Sequence, residues 1–418
     1  MSCPSVFLSA IDQCSFDTFL DILAVRREQL PESAFDQIRL PCKLGGFGLS
    51  RAVEIAPLAA FASFSFCLLR LLSCFSQSRV QAMFSTLPPL SDFARRHCGN
   101  NLANNFDECV SMAEERAADG DMPFSLQHDL TSAFHSSRGA EMLAHLADPQ
   151  RLAGSAQAQR ELAFFISSRA SSASTFLRVV PSSKALRLPN YALRTACLAR
   201  LLYAFPEAPS WEGDHLSFIR VQAHAALRRS LSLARHQAVV KALVSIGSSA
   251  LAVVHEEPLI DDRSSIRPDL CFTWPFLDGS SLYSDVAVVS PVLTSSSSPN
   301  CSSIRYTEVR KFNKYSRAIA QECDASHLPF VCDTTSAIGK TASALLRKLA
   351  DKFVESGGAE EGRSLFLRRA QHLISCTLVR SMADVFRRVV TRPTAYLTGA
   401  GRRGWAGSLG TRVQVGAS

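Results

Sequence analysis

The segment RPDLCFTWPFLDGSSLYSDVAVVSP, residues 267–291, constrains the fold of this chain more than any other stretch. It contains two strand-like runs, PDLCFTW and LYSDVAVV, and between them the dipeptide Asp278-Gly279, which is typical of tight hairpin turns. We therefore predict two antiparallel strands over 268–274 and 282–289. Asp269 begins the first strand and Asp285 lies within the second, so the hairpin is expected to place their carboxylates side by side.

The elements around this hairpin predict an α/β domain with a small mixed sheet flanked by helices. Apolar residues at intervals of three and four predict a long helix before it, and a third strand-like run follows that helix. After the hairpin come a basic helix, a fourth strand and two more helices. The predicted ranges are a helix over 215–247, a strand over 250–258, a helix over 305–322, a strand over 327–335, and helices over 339–354 and 362–390.

The remaining sequence predicts a helical N-terminal half. Residues 1–75 form helices around the glycine-rich turn LPCKLGGFGLSRA, and residues 76–204 are helical with no function that the sequence indicates. The run FPEAPSWEGD marks a boundary, so that the α/β domain covers 205–392. The Gly- and Arg-rich residues 393–418 are expected to be disordered.

Composition favours an intracellular protein with an anionic partner. Lys and Arg total 45 against 37 acidic residues, a net charge of +8, which mildly favours nucleic acid. The 13 cysteines occur singly with no CxxC pair, which predicts reduced thiols and no zinc site. We expect no secretory signal and no membrane contact, since the uncharged stretch 55–69 is shorter than the roughly 20 residues of a spanning helix and is better explained as a buried core helix.

The two hairpin aspartates are candidate ligands for a divalent cation. Hydrolysis of a phosphodiester needs a cation that neutralises the phosphate and activates water, and Mg²⁺ or Mn²⁺ takes carboxylate oxygens. Glu256 and Glu257, which end the preceding strand, are candidate third ligands, of which strand alternation allows only one to face the site. The candidate metal ligands are Asp269, Asp285 and Glu257.

The basic helix supplies candidates for the other roles. Lys311, Lys314 and Tyr315 are candidates for a general base or a charge stabiliser, and Lys311 and Tyr315 share a helix face. Basic side chains there and nearby suit a phosphate backbone. The candidate nucleic-acid-binding residues are Arg235, His236, Arg267, Arg305, Arg310 and Arg317.

These motifs resemble a known family. The run RPDL, a strand with DV, a helix with KxxKY and a preceding helix with RH resemble the restriction-like endonuclease domain of site-specific non-LTR retrotransposon proteins, a branch of the PD-(D/E)XK nuclease superfamily. The resemblance covers 36–66 and 214–390, and the first of these segments is similar to the region that follows a reverse transcriptase core. It implies metal roles for Asp269 and Asp285, a catalytic role for Lys311, and supporting roles for Tyr315 and for Arg235 with His236.

The sequence departs from the family pattern in three places. Ala287 stands where many of these nucleases carry lysine, the cysteines of a zinc knuckle near Asp214 are missing, and the paired aspartates of a polymerase are absent. The resemblance implies a Mg²⁺- or Mn²⁺-dependent endonuclease of the nucleus that nicks DNA, with element RNA as a further partner. The alternatives are a catalytically inactive nucleic-acid-binding protein on the same scaffold and an element remnant without a cellular role.

Overall fold

The protein is a mixed α/β chain, mostly helical, with a small mixed sheet. It divides into two compact units, Met1–Ser174 and Thr175–Ser418. The computed structural model describes residues 5–30, 32–87, 95, 98, 103–118, 124–153, 155–201, 229–259, 267–275, 277–291, 303–319, 325–360 and 362–391.

The described residues of the N-terminal unit form helices. Their apolar faces meet in a core where Leu58 and Phe61 pack with Phe106, Leu130 and Phe134. These helices are α1 (Ser5–Leu23), α2 (Glu32–Arg39), α3 (Ala52–Cys74), α4 (Gln77–Ser85), α5 (Phe106–Ala118), α6 (Phe124–Leu146), α7 (Pro149–Leu152) and α8 (Ala156–Ser168).

Helix α3 contains the apolar stretch that the sequence predicts as a core helix. It is longer than predicted, and by length and composition it could cross a membrane, although the core helix of a soluble protein passes the same test. Leu58, Phe61, Ala62 and Leu68 are buried, whereas Phe66 is exposed. The helix therefore contributes one face to the core, and 28% of its most apolar stretch is buried.

The predicted glycine-rich turn is present between α2 and α3. Gly45 and Gly48 have φ angles of 95° and 77°, in the left-handed region that favours glycine. At Gly46 a Cβ atom would lie 2.0 Å from the carbonyl oxygen of Leu40. The turn is therefore a packed structural element.

The C-terminal unit contains the predicted sheet and helices. Its helices are α9 (Asn190–Arg200), α10 (Arg229–Ser249), α11 (Ser303–Ile319), α12 (Lys340–Glu355) and α13 (Gly362–Thr391). Its strands are β1 (Val253–Glu256), β2 (Leu270–Thr273), β3 (Ser281–Ser284), β4 (Val286–Val289), β5 (Ala325–His327) and β6 (Phe330–Asp333). Residues 215–228 of the long predicted helix and the tail over 393–418 lie outside the described residues.

The units divide earlier than the boundary near residue 205 that the sequence predicts. The segment after Ser174 packs on α13, where Arg380 Nη2 donates to the carbonyl oxygens of Ala185 and Arg187 at 2.7 and 2.6 Å. Farther along, Tyr191 donates its hydroxyl hydrogen to Asp384 at 2.7 Å. These contacts assign residues 175–201 to the C-terminal unit.

The strands form one four-stranded and one two-stranded sheet. In the larger sheet the order is β1-β2-β3-β5, with antiparallel pairs except for the parallel pair β3–β5, and β4 pairs in parallel with β6. Each of the two strands predicted over 282–289 and 327–335 is thus broken in two. The first break falls at Asp285, whose carbonyl oxygen accepts the N–H of Phe330 at 3.0 Å.

The hairpin is confirmed. Gly279 has a φ of 67°, and Asp278 Oδ1 accepts the N–H of Ser280 at 3.0 Å. The strands pair with Leu270 opposite Ser284. This register brings Asp269 next to the end of β3, where Asp285 lies.

An apolar core holds the sheet against α10, α12 and α13. Phe272, Trp274, Phe330, Leu345 and Ile374 are all buried in it. The indole N–H of Trp274 donates to the carbonyl oxygen of Ala250 at 3.2 Å, so this polar group is satisfied. The core fixes β2, which follows Asp269, and also β3 and β4, which flank Asp285.

Candidate active site

Asp285 lies at the break between β3 and β4 and is 3% exposed. Its carboxylate contacts two side chains of α11. Lys311 Nζ pairs with Oδ2, and the Tyr315 hydroxyl donates to Oδ1 at 3.1 Å. Because Lys311 and Tyr315 are four residues apart on one helix face, α11 presents both to the same carboxylate.

Asp269 lies directly before β2 and is held from two sides. Its Oδ2 accepts the N–H of Val286 at 2.6 Å, and its Oδ1 lies 3.2 Å from His236 Nε2 of α10. The bond to Val286 ties Asp269 to the residue that follows Asp285. The structure therefore brings Asp269, Asp285, Lys311, Tyr315 and His236 together.

The two carboxylates are electrostatically different. Burial raises the pKa of Asp285, and the neighbouring Asp269 raises it further, although Lys311 opposes both effects. Burial also acts to raise the pKa of Asp269, but His236 and the N–H of Val286 outweigh it and the pKa is lowered. Asp269 is thus the carboxylate that ionises first, and Asp285 is the one that a positive charge must stabilise.

Tyr315 is buried and remains a neutral phenol. Burial first, and Asp285 second, raise the pKa of its hydroxyl. The hydroxyl oxygen accepts from Lys314 Nζ at 2.9 Å, and the carbonyl oxygen of Arg267 lies 3.3 Å away as a second possible acceptor for its proton. Lys314 Nζ also lies 4.5 Å from the centre of the Tyr315 ring. Tyr315 therefore links Asp285 to the exposed Lys314.

The side chain of Glu257 is exposed, and its role as a third carboxylate ligand stays a prediction. Its backbone has a φ of 49°, which ends β1, and its N–H donates to the carbonyl oxygen of Asp269 at 3.0 Å. Glu256 and Glu257 are both exposed. Across the described residues, no group of three or more His, Cys, Asp and Glu side chains is placed to hold a metal ion.

Arg235 differs from the other candidate nucleic-acid-binding arginines whose side chains the structure describes. It is 4% exposed, packed where burial lowers the pKa of its guanidinium, so it does not lie on a nucleic-acid-binding surface. Arg267, Arg305 and Arg310 are exposed, as such a surface requires. The side chain of Arg317 is outside the described part of the chain.

His327 is a member of the cluster that the sequence analysis missed. Its ring lies 5.3 Å from that of Tyr315 and 6.4 Å from that of Phe312, between centroids. It is buried, and in the described structure neither ring nitrogen has a hydrogen-bond partner. Burial, with Lys311 nearby, lowers the pKa of His327 to about 4. The only sequence signal was a histidine at the start of a strand otherwise typical of a core.

No protein-family model matches the chain, and no curated protein matches its sequence.

Proposed function

We propose that this protein is a metal-dependent DNA endonuclease whose C-terminal unit has a PD-(D/E)XK-type nuclease fold. The observation that carries the proposal is the convergence of Asp269, Asp285 and Lys311 from separate elements. Two acids at a hairpin and a lysine from the next helix are the set that the family resemblance implies. On this proposal the protein acts in the nucleus on DNA, with element RNA as a further partner.

The residues present are compatible with Mg²⁺ or Mn²⁺. Magnesium is commonly held by one or two carboxylates, with waters and substrate phosphates completing its shell, so the missing third acid does not exclude it. Each carboxylate perturbs the pKa of the other, and a bound cation would stabilise both in ionised form. Asp269 and Asp285 would hold the ion, which when bound neutralises the phosphate and lowers the pKa of the attacking water.

The protein side chains have separate roles in this proposal. Lys311 supplies a positive charge that can stabilise the negative charge developing on the phosphate. Tyr315, through its hydrogen bond to Oδ1, orients Asp285. His236 and the N–H of Val286 orient Asp269 in the same way. The two metal-binding carboxylates are therefore positioned by residues of both neighbouring helices and of β4.

Nicking of supercoiled plasmid DNA tests the proposal. The full chain with Mg²⁺ or Mn²⁺ is expected to convert supercoiled plasmid to open circles. Lys311→Met should slow this by about 100-fold or more, because it removes the charge stabiliser. Lys340→Met is the matched control, since Lys340 is exposed at the start of α12. Equal nicking by both variants would count against the assignment.

The second candidate is a nucleic-acid-binding protein that no longer cuts. The observation that favours it is the exposed Glu257, which leaves the pair without a third acid. On this alternative the wild-type chain binds DNA with an affinity that falls as salt rises, and it produces no nicks with either cation. Metal-dependent nicking that Asp269→Asn abolishes would eliminate it.

A further inference from the structure

A groove lies within the C-terminal unit between the segment 175–186 and the first half of α13. Its volume is about 1160 Å³. None of the residues that line it belongs to the carboxylate cluster. They include Arg178 and Ser182 of the segment and Arg368, Arg369, Gln371 and His372 of α13.

The groove is held in shape by α13 itself. Arg380 Nη2 donates to three carbonyl oxygens of the opposite wall, those of Lys184, Ala185 and Arg187, at 3.2, 2.7 and 2.6 Å. Cys376 Sγ lies 3.7 Å from the carbonyl oxygen of Leu186. Because these bonds fix the position of the opposite wall, the groove is largely preformed. Ordering it on ligand binding therefore costs less free energy.

The groove is positively charged. Arg178 comes from one wall, Arg368 and Arg369 from the other, and no Asp or Glu is among the described residues that line it. His372 lies near these arginines. The pKa of its imidazole is lowered, first by burial and then by the charges of Arg368 and Arg178. Arginines from both walls are thus close enough to lower the pKa of the same side chain.

The polar lining matches the chemistry of a phosphate backbone. Arg, Ser, Thr and Gln are among the side chains that donate hydrogen bonds to nucleic-acid phosphates, and each of these types is present. Leucines also line the groove, but they do not set it apart from the rest of the surface. Apolar atoms make up more than half of an ordinary protein surface. The described lining contains no Phe, Tyr or Trp, and its one ring is the imidazole of His372, which favours recognition of the backbone over the bases.

We propose that this groove binds the sugar-phosphate backbone of a nucleic-acid strand, at a site separate from the carboxylate cluster. This proposal does not depend on cleavage of DNA, and it predicts nucleic-acid binding without sequence preference. Arg178 and the pair Arg368 and Arg369 would contact the phosphates from opposite walls, with the serines and Gln371 as neutral donors.

Fluorescence anisotropy of labelled duplex DNA with the full chain tests the proposal. Removing one arginine that binds a phosphate is expected to reduce the slope of log affinity against log salt by about 0.9. Arg368→Gln with Arg369→Gln should therefore lower the slope by about 2 and weaken binding by about tenfold at low salt. Arg347→Gln, an exposed arginine of α12 outside the groove, is the matched control and should bind like the wild type.

One further variant and the choice of buffer keep the outcomes separate. Arg178→Gln, on the opposite wall, should lower the slope by about 1 even if the double variant folds poorly. The binding assays contain no Mg²⁺ or Mn²⁺, so a failure of the nuclease proposal would not be mistaken for a failure of this one. Unchanged affinity and slope in the groove variants would overturn the proposal, as would groove-dependent binding of labelled polyglutamate without binding of DNA.

Discussion

The two units differ in what they bury. In the described residues of the N-terminal unit, the buried polar side chains are uncharged or histidine: Gln37, His135, Ser168 and Ser174. The C-terminal unit buries formally charged side chains, which are Arg200, Arg235, Asp285, Glu308, Asp333 and Lys352. Burying a charge is costly unless it is compensated. The described core of the N-terminal unit therefore contains no Asp, Glu, Lys or Arg side chain, whereas each buried charge of the C-terminal unit needs an explanation.

Among the residues that the structure describes, two of the three buried carboxylates have a structural explanation. Glu308 accepts the N–H of Thr341 at 2.9 Å at the start of α12. Asp333 accepts the N–H groups of Thr335 and Ala337 at 2.8 and 3.1 Å. The Asp285 carboxylate instead contacts the side chains of Lys311 and Tyr315. A carboxylate that satisfies no turn or helix end is the one that a functional site explains best.

The largest stability effect is expected in the N-terminal core. Phe134→Ala removes a fully buried ring and should lower the free energy of unfolding by about 3–5 kcal/mol. Phe66→Ala, at a position 56% exposed in the same unit, is the control and should cost much less. Urea unfolding followed by circular dichroism measures both. Similar losses would mean that the N-terminal unit does not depend on this core.

The second-largest effect on stability is expected from His327. Its pKa is lowered from 6.5 to about 4, so folding favours the neutral ring. The stability that this contributes is present above pH 6.5 and is lost as the pH falls towards 4, by about 3 kcal/mol in total. His327→Leu should remove this pH dependence from urea unfolding, whereas His255→Leu, at an exposed position in β1, should keep it. A wild-type profile in His327→Leu would contradict the burial of a neutral ring.

A smaller effect is expected where Glu308 caps α12. Glu308→Ala leaves the N–H of Thr341 without this partner and should cost about 1–3 kcal/mol. Gly339→Ala should also destabilise the protein, since its Cβ would lie 2.1 Å from Glu308 Oε1. The second change should cost less in the Glu308→Ala background. Additive losses in thermal unfolding would show that the two residues do not share this contact.

The smallest stability effect is expected at Asp285. Because its pKa is raised, the stability it contributes is present below its unfolded pKa and is lost as the pH rises through the folded value. Asp285→Asn should therefore cost less than about 1 kcal/mol at pH 7, since the amide keeps an acceptor for Tyr315. A loss as large as that of Glu308→Ala would place Asp285 with the structural carboxylates.

Part of this arrangement follows from sequence and part does not. The Asp278-Gly279 turn and the i, i+4 pair of Lys311 and Tyr315 are local features, and local rules predict them. The breaks of the strands at Asp285 and before Phe330 depend on which partner each strand meets, which no local pattern records. A strand pattern also cannot show that His327 packs against a ring of the helix before it.

The positions of Glu257 and Arg235 have local physical causes that only the fold shows. Glu257 adopts a left-handed backbone conformation as β1 ends, so the alternation that was to point it at the site no longer applies. Arg235 shares a dipeptide with His236, and adjacent residues of a helix face different directions. His236 therefore reaches Asp269 while Arg235 is buried.

Binding of Mn²⁺ measures most directly whether the Asp269 and Asp285 pair is a cation site. Titration of the full chain with Mn²⁺, followed by the paramagnetic signal of the free ion, should show a bound ion in the wild type. Asp285→Asn should weaken this binding by about tenfold or more, while Asp278→Asn, at the exposed hairpin turn, should leave it unchanged. Equal Mn²⁺ affinity in the wild type and in Asp285→Asn would contradict the assignment of Asp285 to a metal site.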